Sequence, residues 1–133
     1  MIADLIGGQI QVAFDVMTGA IPHIRSGAVR ALGLGSKTRS DVLPDLPTIG
    51  ETIPSYEANS WCGIGVPTGT PLEIITRLNR EINAGLRDPT VKARFTQLAA
   101  TPIFFTPRKF GIYVAAEIEK WGKVVTLSGM KPE

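Results

Sequence analysis

Asp15 closes the alternating stretch Gln9–Asp15 and is followed at once by Val16-Met17-Thr18, where a helix is expected to open. A carboxylate at that junction can receive a ligand ammonium or hydroxyl. The first backbone N–H groups of the helix, those of Met17 and Thr18, can hold an anion. The same carboxylate can instead cap the helix that follows it, and both readings stand on the sequence. Other chemistry is sparse. His23, the single histidine, is flanked by Ile21, Ile24 and Arg25 and reads as a partly exposed structural residue rather than a base. Cys62, the single cysteine, allows no internal disulfide and builds no zinc site alone; within the apolar run Trp61–Val66 it reads as a small buried thiol. Trp61 reads as core before it reads as a wall of a cleft. No serine stands in a G-x-S-x-G elbow, and no Cys/His/Asp/Glu cluster has metal-ligand spacing, so neither an enzyme nor a cofactor or metal is expected. Gly33–Thr38 (GLGSKT) has the superficial look of a phosphate loop. It fails the pattern because Ser36 separates the glycine from Lys37, and Arg30 stands where the first glycine belongs.

Residues 4–40 must position Asp15. In Gln9–Asp15, Ile10, Val12 and Phe14 alternate with Gln9, Gln11 and Asp15, the period of a strand. Pro22 is expected near the start of the next helix and Gly27 just past its end. Val29–Gly35 is a second apolar run of strand length. Strand, crossover helix and strand make a βαβ unit with parallel strands and a right-handed connection. In open α/β sheets, ligands bind beyond the carboxyl ends of such strands, which is where Asp15 lies. Residues 41–70 follow, with Pro44, Pro47 and Pro54 too close for regular structure. Their apolar residues predict a loop pressed onto the body, with one helical turn at Thr48–Thr52 and a strand at Trp61–Val66.

Residues 71–129 predict three helices. Thr70-Pro71-Leu72-Glu73 reads as a capping box, after which Ile75, Leu78, Ile82 and Leu86 share a buried face and Glu73–Arg77 and Arg77–Glu81 pair outside. Asp88-Pro89 opens a helix with a Val91, Phe95, Leu98 stripe. Thr106-Pro107 opens the longest, with Phe110, Val114, Ile118, Trp121 and Val125 inward, Glu119 and Lys123 paired outside, Gly129 as its end and Pro132 just beyond. Pro102–Phe105 reads as a short strand or a bend.

Composition excludes several classes. Hydrophobic content of 44% and charged content of 20% describe a folded globular chain, of one domain's worth at 133 residues. A formal charge of +2, with basic residues scattered and few aromatics among them, argues against nucleic acid. No apolar stretch reaches the roughly 20 residues of a membrane span. MIADLIGGQ has no basic region and does not read as a secretory signal; a chain complete as given would stay in the cytoplasm.

The succession DLIGGQIQVAFD, IPHIRSGAVRALGL, RSDVLPDLPTIGE, SWCGIGVPTGTP, IITRLNREINAGLRDPTVKARF and AAEIEKWGKVV resembles the C-terminal part of the substrate-binding proteins of the tripartite tricarboxylate transporter system, the TctC or Bug family. The likeness runs from Asp4 to Pro132. It implies an incomplete α/β unit holding elements of both lobes of a two-lobed periplasmic-binding-protein fold of type II. It also implies a receptor that closes like a hinge on a small carboxylate, either a di- or tricarboxylate or an acidic amino acid. Periplasmic location and the transporter's membrane components as partners follow from the same likeness. Asp15, Thr18, Ser60 and Trp61 carry over as cleft residues, Val29–Gly35 as part of the crossing between lobes, and Trp61–Gly63 as the cleft's rim. Cys62 departs from the aromatic residue expected there, a change of packing. Family members of full size are about twice as long, with a glycine-rich loop of the first lobe at the carboxylate site. Strands without their neighbours would leave apolar surface bare, so self-association is expected. The alternative is a truncated relative that no longer binds and serves as a self-associating or orphan interaction module.

Overall fold

The computed structural model describes residues 1–130, and its regular structure is helical. In chain order the elements are α1 Ile2–Ile6, α2 Met17–Arg25, a 3-10 turn Ile49–Glu51, α3 Leu72–Gly85, α4 Pro89–Gln97 and α5 Pro107–Ser128. Most ends follow the local punctuation. Thr106 caps α5, its hydroxyl accepting the N–H of Lys109 at 3.2 Å, and Gly129 terminates it in the left-handed region at φ 68°. α2 stops at Ser26 and Gly27, the latter at φ 76° with its N–H donating to the Ile24 carbonyl at 3.1 Å. Pro132, expected beyond the last helix, lies outside the described residues.

Two starts differ from expectation. Pro71 itself is the N-cap of α3, and the Thr70 hydroxyl donates back to the Pro67 carbonyl at 2.8 Å, so the Thr70–Glu73 box does not form. Pro22 sits inside α2 rather than at its start. In so short a helix, the missing N–H costs one intrahelical bond, that to the Thr18 carbonyl. α1 was not anticipated.

The expected strands are the larger correction. Gln9–Asp15, Val29–Gly35 and Trp61–Val66 are non-helical but form no ladder. Among the described residues, β pairing consists of the parallel bridge Leu34↔Thr48 and the antiparallel bridge Ser40↔Leu43. Alternation prepares a face, but a ladder needs a second strand to exchange N–H and C=O groups with. Accordingly Val12 and Phe14 stand 65% and 77% exposed.

The described chain divides into two compact units. One joins Met1–Gly65 with Pro89–Pro102; the other joins Val66–Asp88 with the residues from Ile103 onward. The first holds the buried residues Ile21, Leu34 and Thr48. Leu34 donates to the Pro47 carbonyl at 2.9 Å and accepts from Ile49 N–H at 2.8 Å, while Ala58 N–H donates to the Gly35 carbonyl at 2.9 Å. The proline-spaced loop is thus pressed onto the body, as its apolar residues required, although Ile53 remains exposed.

In the second unit α3 packs on α5. The covered face of α3 carries Ile75, Ile82 and Leu86 as expected, half-buried, but Leu78 is exposed and two asparagines share the face. Asn79 and Asn83 both donate Nδ2–H to the Phe105 carbonyl, at 2.9 and 3.2 Å. This anchors irregular Pro102–Phe105, and the Phe105 ring meets Phe110 and Tyr113 at centroid distances of 6.3 and 5.5 Å. Along α5 the half-buried stripe is Phe110, Tyr113, Val114 and Glu117. Ile118, Trp121 and Val125, expected inward, are exposed, since no described residue of this unit covers them. Glu119 and Lys123 pair at 2.6 Å as expected, whereas the ion pair seen on α3 is Arg80–Glu81 at 2.7 Å.

Candidate functional site

Asp15, Met17 and Thr18 are brought together where the non-helical segment turns into α2. The Asp15 carboxylate is exposed and its Oδ1 accepts the N–H of Val16 at 2.8 Å. Val16, not Asp15, is the N-cap, and its side chain makes no capping bond. The carboxylate therefore satisfies the residue before the helix and leaves the helix's own opening donors alone. The Gly19 and Ala20 N–H groups go to the Val16 carbonyl at 3.0 and 3.1 Å. Those of Met17 and Thr18 are the first-turn donors, which have no carbonyl behind them in the helix. Negative charge is favoured beside such donors and a ligand cation or hydroxyl beside the carboxylate, so the turn offers complementary contacts two and three positions apart.

Ser60 and Trp61 stand on the non-helical stretch before Val66, in the same compact unit as Asp15. Both are exposed, Trp61 at 36%. The core reading of Trp61 is thus overturned, as is the buried reading of Cys62, whose thiol is exposed. Apolar neighbours in sequence predict burial only where a second element covers them. His23 is half-buried, and its carbonyl accepts from the Ser26 hydroxyl at 3.1 Å and Val29 N–H at 3.2 Å.

A better-built feature than any of these closes the proline-spaced loop. The Arg39 guanidinium forks onto Glu51, Nε to Oε1 at 2.9 Å and Nη2 to Oε2 at 2.7 Å, and its Nη1 donates to the Pro44 carbonyl at 3.2 Å. Glu51 Oε1 also accepts Thr48 N–H at 3.0 Å. The guanidinium first, and the Thr48 N–H after it, hold the Glu51 carboxyl down to about 2. Beside this clasp, Lys37, Thr48, Gly50, Glu51, Tyr56 and Glu57 line a concavity of about 450 Å³, with Ser55 at φ 67° on its edge. A second, more apolar one of about 380 Å³ lies between Ile24, Ala31 and Val42–Leu46. None of Asp15, Met17, Thr18, Ser60 and Trp61 lines either. The helical turn expected at Thr48–Thr52 forms at Ile49–Glu51; Arg39, 12 positions from its partner, left no sequence signal. Among the described residues no group of His, Cys, Asp and Glu could hold a metal, and no helix is long and apolar enough to cross a membrane.

With this geometry in place, comparison with known proteins is informative. Residues 1–130 match the model of the tripartite tricarboxylate transporter family receptor. The chain is 37% identical over 131 residues to protein BugT of Bordetella pertussis, an alignment covering 98% of this chain and 40% of that protein. It is 35% identical over 130 residues to a protein of Agrobacterium vitis encoded in the TAR-I ttuE-ttuC' intergenic region, covering 95% of this chain and 38% of the relative. Its fold superposes on the periplasmic binding protein BugD with a TM-score of 0.86 at 30% identity, over 99% of this chain and 45% of that one. The chain thus spans about two fifths of the length of these relatives. It is an α/β partial fold of the periplasmic-binding-protein type, and by its sequence it belongs to the tripartite tricarboxylate transporter receptor family.

Proposed function

We propose that this chain is the ligand-facing C-terminal portion of an extracytoplasmic solute receptor that binds a small carboxylate for a tripartite tricarboxylate-type transporter. The observation that carries the reading is the match of residues 1–130 to the receptor family. The turn at Asp15 supplies chemistry that agrees with it. Met17 and Thr18 N–H groups receive the ligand carboxylate, and Asp15 takes a hydroxyl or ammonium of the same molecule. Ser60 and Trp61 form the rim. On this reading the chain holds elements of both lobes of the receptor, which acts in the periplasm, passes its ligand to the transporter's membrane components and catalyses nothing.

Thermal unfolding against a panel of mono-, di- and tricarboxylates and acidic amino acids tests it. A ligand present at 100 times its dissociation constant adds about 2.7 kcal/mol to the folded state, which raises the melting midpoint by several degrees. The expected result is a shift with one class of acid, lost in Asp15→Ala. A cooperative transition that no acid moves would refute the reading.

A further inference from the structure

The Arg39–Glu51 clasp braces a loop whose exit leads to Ser60 and Trp61. The loop leaves the body at Gly35 and returns to it at Ala58, whose N–H donates to the Gly35 carbonyl at 2.9 Å. Ser60 and Trp61 stand two and three positions beyond that bond. From the clasp to Ala58 the backbone is stitched turn by turn. Thr52 and Ile53 donate to the Ile49 carbonyl at 3.0 and 2.8 Å, and Tyr56 donates to the Ile53 carbonyl at 3.1 Å. The fit is close: a Cβ on Gly50 would stand 3.1 Å from the Tyr56 carbonyl oxygen. A shift of the Glu51 turn therefore shifts the backbone that leads to Ala58. An exposed ion pair usually fixes little, because two long side chains give up freedom for one contact. Here a planar guanidinium spans both Glu51 oxygens and the Pro44 carbonyl, so three bonds hold one rigid fork.

We propose that Arg39 is a positioning residue for ligand binding: by holding Glu51 it sets where Ser60 and Trp61 stand, without touching the ligand itself. The inference rests on the receptor reading above, in which those two residues form the rim. Arg39, Glu51, Ser60 and Trp61 belong to one compact unit, which also holds Asp15, so the effect needs no movement of one unit against the other. Without the guanidinium, the Glu51 carboxylate keeps the Thr48 N–H and turns its other oxygen to water. The turn then loses its tie to the start of the loop, and the rim samples a wider range of positions. Ligand binding must fix what the clasp had already fixed, so affinity falls.

Isothermal titration of the full chain with citrate, succinate and L-glutamate in turn tests it, at a temperature well below every variant's melting midpoint. Arg39→Met should raise the dissociation constant of the acid that binds, roughly three- to thirtyfold. Arg39→Lys keeps the charge but not the fork, and should fall between Arg39→Met and wild type. Glu51→Gln keeps an oxygen for the Thr48 N–H but sets an amide N–H against the guanidinium. It should move the constant in the same direction, and it decides the question if Arg39→Met does not fold. Arg80→Met removes an exposed pair of the other unit and should change nothing. In a Trp121→Phe background Trp61 is the single tryptophan, and acrylamide should quench its fluorescence more strongly once Arg39→Met is added. A lowered melting midpoint with affinity and quenching unchanged would mean that the clasp only braces the fold, and overturns the proposal. So does a loss of affinity in Arg80→Met equal to that in Arg39→Met. If wild type binds none of the three acids, the receptor reading fails and this proposal with it. If wild type binds one and Arg39→Met and Glu51→Gln bind it equally well, the proposal alone fails.

Discussion

Gly35 is where the first unit is least able to accept change. Its carbonyl receives Ala58 N–H at 2.9 Å, and a Cβ built on it would stand 2.3 Å from the Ala58 carbonyl oxygen. Such carbon and oxygen atoms essentially never approach within 3.0 Å, and here the oxygen is backbone and the Cβ is fixed by the backbone that bears it, so no rotamer relieves the clash. Gly35→Ala therefore forces the chain at Ala58 to retreat by most of an ångström. The costs are overpacking of about 1–3 kcal/mol and the strained or lost hydrogen bond, about 0.5–1.5 kcal/mol. Against these, alanine lowers unfolded-state entropy, worth about 0.4–1 kcal/mol in stability. The net expectation is a loss of about 1–3 kcal/mol. That is large against a typical total of about 5–15 kcal/mol. Urea unfolding read by circular dichroism measures it, with Gly65→Ala as control: a Cβ at Gly65 meets nothing within 4 Å, and the residue is not at positive φ. A Gly35→Ala variant as stable as Gly65→Ala would refute the close approach of the 35 and 58 backbones.

Other expectations follow from local geometry. Glu51, held down to about 2 from an ordinary 4.5, contributes stability fully present above pH 4.5 and lost as pH falls through about 2; carboxyl chemical shifts should show that low midpoint in wild type and a higher one in Arg39→Ala, where Thr48 alone still lowers it, and a wild-type midpoint already at 4.5 would mean the clasp is open in solution. Asn79→Ala and Asn83→Ala each leave the Phe105 carbonyl one donor, so each should cost less than half of the double variant, itself about 1–3 kcal/mol in denaturant titrations. Ala99 sits at φ 52° just past α4, with Ala100 N–H returning to the Phe95 carbonyl at 2.9 Å. Ala99→Gly should therefore raise the unfolding midpoint, by up to about 1 kcal/mol in stability, against the usual cost of glycine.

What could be read from the sequence was what neighbours along the chain decide. Thr106-Pro107 and Gly129 bracket α5, Gly27 ends α2, and Thr48–Glu51 forms its turn, because a cap and its helix lie within four residues of each other. What could not be read depends on partners elsewhere. Asn79 and Asn83 face a carbonyl 26 and 22 residues away, and a backbone acceptor carries no sequence signature. The alternation of Ile10, Val12 and Phe14 and the run around Cys62 correctly identified apolar faces but not their exposure. An apolar pattern records a demand for cover, and cover must come from another element. At the candidate site, Asp15 was legible as a carboxylate before a helix. Its bond to Val16 rather than to the first turn was not, since that depends on a side-chain torsion.

The exposed thiol of Cys62 makes redox environment part of this chain's behaviour. With one cysteine among these 133 residues, any disulfide it forms must reach a thiol outside them. In aerated buffer, two copies of these 133 residues can therefore become covalently tied with no complementary surface at all. A dimer tied by such a disulfide and a dimer held by non-covalent contact have the same mass. Cys62→Ser separates them, and it leaves the chain without a thiol to which a single new one can be added as a reporter.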